Sequence, residues 1–106
     1  MANGILGQKD LAAITDTVVY TVPTDIFSVV TINAVNRGTS PRTLRIALAA
    51  LDTPTAEEYI EYNVEILPGG VLERTGIVLE AGRRVVAYAN STDISVSVYG
   101  METPTA

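Results

Sequence analysis

Four carboxylates crowd one segment: Glu57, Glu58, Glu61 and Glu65. Paired acids do general acid–base work when their separation suits the reaction. On a strand, Glu57, Glu61 and Glu65 share a face with neighbours about 13 Å apart, at ~3.3 Å per residue. A glycosidase pair needs roughly 5–10 Å across a cleft, so a solvated sheet face is the expectation. Asn63 could join these acids around a hard cation, but the D-x-D-x-D-G spacing of a calcium loop is absent from the sequence. The chain has no histidine and no cysteine. That excludes imidazole bases, thiol nucleophiles, Ser-His-Asp triads, disulfides and zinc fingers. The single lysine, Lys9, lies in the N-terminal stretch, away from any serine-rich strand. Gly69-Gly70 and Gly82 fall where turns need glycine, not in a phosphate loop opening a helix. The expectation is no catalytic residues, no cofactor and no metal.

Arginine outnumbers lysine six to one in this set of seven cations. Arg37 and Arg42 flank one turn, Arg45 follows, and Arg83 and Arg84 are adjacent. Guanidinium suits bidentate, partly buried pairing with carboxylate, which predicts interface or intramolecular ion pairs. Nucleic-acid contact is not expected, because no aromatic residues interleave these arginines to stack bases. Tyr59, Tyr62, Tyr88 and Tyr99 read either as a ligand face, for a carbohydrate above all, or as half-buried sheet residues. Asn90-Ser91-Thr92 matches a glycosylation sequon and reads more simply as a hairpin turn.

These residues sit in a chain that is nearly all strand signal. Met1 to Asp16 is the least patterned part, with Gly4 and Gly7 interrupting Ile5, Leu6, Leu11 and Ile14. It reads as an extended arm, with room for one helical turn at Asp10 to Ala13. Strands follow at Thr17 to Val22, Ile26 to Asn36, Arg42 to Leu51, Glu57 to Ile66, Val71 to Val78, Arg83 to Ala89 and Ile94 to Met101. Turn residues separate them, including Pro41, Pro68-Gly69-Gly70 and Gly82. Arg42 to Leu51 has good helix formers, but its period of two and its flanking turns favour a strand. Gly76 signals a bulge. In Ile26 to Asn36, Ser28, Val30, Ile32 and Ala34 share one side; Phe27, Val29, Thr31, Asn33 and Val35 share the other. In Glu57 to Ile66, strict alternation sets Tyr59, Glu61, Asn63 and Glu65 against Ile60, Tyr62, Val64 and Ile66.

One-sided apolar strands at such regular spacing need a second sheet to cover them. The fold class is therefore all-β: an antiparallel β-sandwich of about seven or eight strands, Ig-like or jelly-roll-like, with an extended N-terminal arm. The expected boundaries are an arm over 1–16, the sandwich over 17–102 and a loose tail over 103–106.

With 106 residues the chain is one domain, and area scaling gives ~5,700 Å² of folded surface. A hydrophobic content of 47% argues against disorder. Seven basic against twelve acidic residues leave a net charge of −5, which speaks against a free-standing nucleic-acid binder. No run of about 18 apolar residues marks a membrane span, and the opening MANGILGQKD shows no signal peptide. Charged residues make up only 18%, against the usual ~25%. A surface covered by Thr, Ser, Ala and Val is tolerated best where part of it meets other chains. The residues expected to meet a partner are Ile5, Leu6, Leu11, Arg37, Arg42 and Arg45.

The segments ILGQ, VVYTVPTDIFSVVTINAVNRGTSPRTLRIAL, EEYIEYNVEILPGG and GIVLEAGRRVVAYANSTDISVSVYGME span about Leu6 to Glu102. Their order resembles small virion structural proteins of tailed bacteriophages. There a YTVP strand precedes a strand ending in NRG, and the chain closes on an AG turn followed by two short strands. Arg83 stands where an acidic residue often follows that turn. The resemblance implies a non-enzymatic all-β protein of the particle, a capsid decoration (cement) protein or a component of tail, baseplate or fibre. It implies a homo-oligomer, often a trimer, with other virion proteins such as the major capsid protein as partners. The implied location is the virion, after synthesis in the host cytoplasm. A carbohydrate-binding β-sandwich module is the rival expectation from another class.

Overall fold

The computed structural model of the protein describes residues 2–105. Its strands are β1 (Asn3–Asp10), β2 (Thr17–Thr21), β3 (Ile26–Asn36), β4 (Arg42–Ala49), β5 (Tyr59–Ile66), β6 (Val71–Leu79), β7 (Arg84–Ala89) and β8 (Ile94–Pro104). A 3-10 turn, Ala56–Glu58, precedes β5. Runs of Val, Ile, Thr and Tyr make these segments strands, because branched and aromatic side chains pack well on a pleated surface.

The strands form two four-stranded antiparallel sheets, in the orders β1-β8-β3-β6 and β2-β7-β4-β5. Their pairing is nested. β4 pairs with β5, β3 with β6, β2 with β7 and β1 with β8. The chain is in effect one long hairpin, doubled at the loop before β5 and rolled so that successive pairs fall in opposite sheets. The β3–β8 and β4–β7 ladders then knit each sheet together.

The core lies between the sheets. Ile32, Leu44, Ile46, Val85, Ile94 and Val98 are each fully shielded from water. β3 alternates as its sequence suggests, with Ser28, Val30, Ile32 and Ala34 buried against the second sheet. The accessible surface, 5487 Å², agrees with the scaling value for a chain of this length.

Three features differ from the sequence reading. Asn3–Asp10 is extended but does not stand off as an arm; it is the edge strand β1, in register with β8 from Asn3↔Met101 to Asp10↔Ser95. No helical turn forms at Asp10 to Ala13; instead Leu11 N–H bonds to Ile94 C=O and Ile14 N–H to Ala89 C=O as the chain crosses between sheets. Thr103 and Pro104 are not a loose tail, since β8 continues through them opposite Phe27 and Ile26. Met1 and Ala106, the ends of the expected arm and tail, lie outside the described residues.

Two of the register shifts coincide with left-handed residues. Gly76, at a φ of 69°, takes up the shift between the Val30 and Ile32 pairings. Asn63, at a φ of 54°, does the same in β5, where the register with β4 slips between Leu44 and Ile46. Asn tolerates the left-handed region because its short amide bonds locally.

Candidate functional sites on the two outer faces

The outer face of the first sheet is graded along the strand direction. One transverse row reads Asn3, Met101, Val29 and Val78 across all four strands. Val29, Met101 and Val78 are 41%, 59% and 66% exposed. Phe27 and Ile5 lie on adjacent rows of the same face, and Ile5 is 58% exposed. Farther along, the rows turn polar: Gln8, Ser97, Asn33 and Glu73, then Asp10 and Ser95. There Gln8 donates to Ser97, Tyr99 OH donates to Glu73 at 3.1 Å, and Ser95 OH donates to Asp10 at 2.5 Å. The Glu73 carboxylate raises the Tyr99 phenol above its ordinary pKa, chiefly through that hydrogen bond. One half of the face thus carries most of its side-chain hydrogen bonds, with Val35 and the exposed Val71 in its last row, and the other half is mostly aliphatic surface.

The outer face of the second sheet carries the tyrosines. Arg45 on β4 lies opposite Tyr88 on β7, and its guanidinium carbon sits 4.5 Å from that ring centroid. It sits 4.4 Å from the Tyr62 ring of β5. Tyr62 in turn meets Tyr59 edge-to-face at 5.0 Å. Strict alternation would place Tyr59 and Tyr62 on opposite faces. The Asn63 bulge turns Tyr62 outward and leaves Glu61 facing the gap between sheets, where it pairs with Arg74 of β6 at 3.2 Å. Burial, then the nearby Asp16 charge, raises the Tyr59 phenol pKa. Tyr99 belongs to the other sheet, so the four tyrosines do not form one surface.

The acids of the β5 region do not converge, and they are not simply a solvated face. Glu58 accepts backbone N–H bonds from Thr55 and Ala50 and pairs with Arg83, fastening the loop before β5. Glu61 is spent on Arg74. Among the described residues, no group of three acids could hold a metal ion. The depressions are shallow; one of about 340 Å³ lies along Gln8–Asp10 and Ser95–Ser97.

Of the residues expected to meet a partner, Ile5 is exposed on the apolar half of the first face. Leu6 and Leu11 are committed to the chain's own interior. Arg42 forms an internal ion pair with Asp93 at 2.9 Å. Arg37 donates to Ser95 and to the Thr92 carbonyl, with Asp10 3.8 Å away. Arg45 stacks between two rings. Val29, Val78 and Met101 escaped the sequence reading as surface residues with a role. Their signal was present in β3, whose outward side carries Phe27, Val29 and Val35 among polar residues.

No protein-family model matches the chain, and no curated protein sequence does. Among the described residues no helix is long and apolar enough to cross a membrane.

Proposed function

We propose that this chain is a non-enzymatic structural protein of a tailed-bacteriophage virion, a capsid decoration protein that binds and stabilises the assembled shell as a homo-oligomer, with a trimer favoured. The observation that carries the reading is the row Met101, Val29 and Val78, three adjoining exposed apolar side chains on a sheet face whose far half is largely hydrogen-bonded. Large apolar side chains gathered on one face mark a surface that meets another protein. We infer further that the sandwich is a jelly roll, not an Ig fold. The nested pairing of β1 with β8 through β4 with β5 supports this, and double-sheet jelly rolls recur in viral capsid and lectin domains. A protein that binds only the assembled lattice stabilises it by mass action. A tail, baseplate or fibre component would use the same surface at a different address.

The test is pelleting with shells of the phage that encodes the chain. Wild-type protein is expected to pellet with shells, and Val78→Asp to stay in solution. A folded wild-type protein that pellets with neither shells nor tails would overturn the reading.

A carbohydrate-binding module is favoured by one observation, the exposed Tyr62 beside Asn63. Against it, Arg45 occupies one face of both Tyr62 and Tyr88, the faces on which a sugar would stack.

A further inference from the structure

Five of the six arginines have a carboxylate within 4 Å. Arg37 has Asp10, Arg42 has Asp93, Arg74 has Glu61, Arg83 has Glu58 and Glu80, and Arg84 has Asp52. Among the described residues Arg45 has none. It is held firmly all the same. Tyr62 and Tyr88 flank its plane at 4.4 and 4.5 Å, and its Nε donates to Asn63 Oδ1 at 2.7 Å. Asn63 is presented by the left-handed bulge, so backbone geometry aims the clamp. The Tyr59 hydroxyl, with Asp16 in its neighbourhood, lies within reach of Arg45, but among the described residues no carboxylate comes within 4 Å of the two Arg45 Nη groups, although Arg45 is only half-exposed.

We propose that Arg45 is a preformed receptor for a carboxylate, supplied by an Asp or Glu side chain of a partner protein that docks on the outer face of the second sheet. The guanidinium fork matches a carboxylate edge with two parallel hydrogen bonds. The rings and Asn63 fix its orientation before binding, which removes much of the ordering cost that a free arginine would incur. Tyr and Arg gathered in a partly desolvated cluster are the side chains that dominate protein–protein affinity. In a chain of net charge −5 the other five arginines each face an internal carboxylate within 4 Å, whereas Arg45 faces tyrosines and an amide, which leaves room for an acid from outside. The proposal deepens the assembly reading and rests on it for the partner's class, but it concerns the opposite face from the apolar row.

The test is a nuclear magnetic resonance titration of the full chain with two short peptides, Gly-Glu-Gly and Gly-Gln-Gly, both blocked at the ends, and with N-acetylneuraminic acid. The Glu peptide should shift the Arg45 Nε–H and the Tyr62 and Tyr88 ring resonances saturably, and the Gln peptide should not. Arg45→Lys should keep the fold and bind the Glu peptide about tenfold more weakly, since an ammonium offers neither fork nor stacking plane. Equal shifts with both peptides, or no shift with either, would overturn the proposal. So would tighter binding of the sugar acid, which would make the site a glycan receptor. In the shell assay, Arg45→Gln is expected to weaken attachment. If Val78→Asp abolishes attachment while Arg45→Gln leaves it intact, this proposal fails and the assembly reading stands.

Discussion

Tyr20 on β2 donates its hydroxyl proton to Glu102 on β8 at 2.6 Å, a bond across the sandwich between residues that are both almost fully buried. The other Glu102 oxygen accepts the Ala2 backbone N–H at 2.8 Å, and Glu102 N–H returns a bond to the Ala2 carbonyl. One carboxylate therefore ties β2, β8 and the start of β1 together. Ser28 lies buried on β3 in the same sheet, with its hydroxyl beside that of Tyr20.

Burial first, and then the Glu102 hydrogen bond, push the Tyr20 phenol from 10.0 up to about 12. The folded state thus favours the protonated phenol. The associated stability is complete below pH 10.0, the ordinary value, and is lost as pH rises through about 12. Its size is on the order of 2–3 kcal/mol. Tyr59 and Tyr99 are raised as well, and phenolate absorbance should show a last-ionising tyrosine that vanishes in Tyr20→Phe. The same variant leaves Glu102 short of a donor and should lose ~1–3 kcal/mol in denaturant unfolding. A Tyr20 that ionises at its ordinary pH would contradict the geometry.

At the acid end the sign reverses. Backbone N–H groups of Thr55 and Ala50, helped by Arg83, hold the Glu58 carboxyl below its ordinary 4.5. The Arg83 guanidinium does the same for Glu80. Depressed carboxyls contribute stability above the ordinary value and lose it as pH falls through the folded one. The melting temperature should therefore drop on acidification below pH 4.5, and Glu58→Gln should flatten that slope. An identical slope in the variant would remove Glu58 from the account.

Opposite faces of β3 should respond differently. Ile32→Ala empties a fully buried site and should cost ~2–5 kcal/mol. Val29→Thr, on the exposed row, should change the stability of the dissociated chain by less than ~0.5 kcal/mol. Chemical denaturation of both variants checks the contrast, and comparable losses would mean that the faces are assigned wrongly.

The two sheets close on each other where β1 passes β2. A Cβ at Gly7 would run into the Val19 carbonyl. Gly7→Ala should therefore destabilise by ~1–3 kcal/mol through overpacking, and a neutral result by thermal unfolding would show that β1 sits farther out.

Much of this architecture could be read along the chain. In β3 the alternation of Val30, Ile32 and Ala34 with Val29, Thr31 and Asn33 is unbroken, because β8 supplies a continuous ladder there and the bulge on the other side falls in β6. The β4 segment reads as strand despite its Leu, Arg and Ala, since tertiary pairing outweighs helix propensity. β5 was legible as a strand and not in phase. The left-handed Asn63, with a second register shift at Ile60, brings Tyr62 and Tyr59 to one face, and no local signal separates that Asn from an ordinary one. The fate of Asn3–Asp10 was hidden for a different reason. Its partner β8 lies some ninety residues away, and only long-range register distinguishes a docked edge strand from a free arm. The role of Glu102 at the end of the sandwich was hidden because its two donors, Tyr20 and Ala2, are both remote in sequence.

The most direct test of the account is the mass of the purified chain by sedimentation equilibrium, wild type beside the Val29→Asp, Val78→Asp double variant. The account predicts a wild-type particle of several 11.2 kDa chains, three favoured, and a folded 11.2 kDa monomer for the variant. A wild-type protein that remains a single 11.2 kDa chain at every concentration, indistinguishable from the variant, would contradict it.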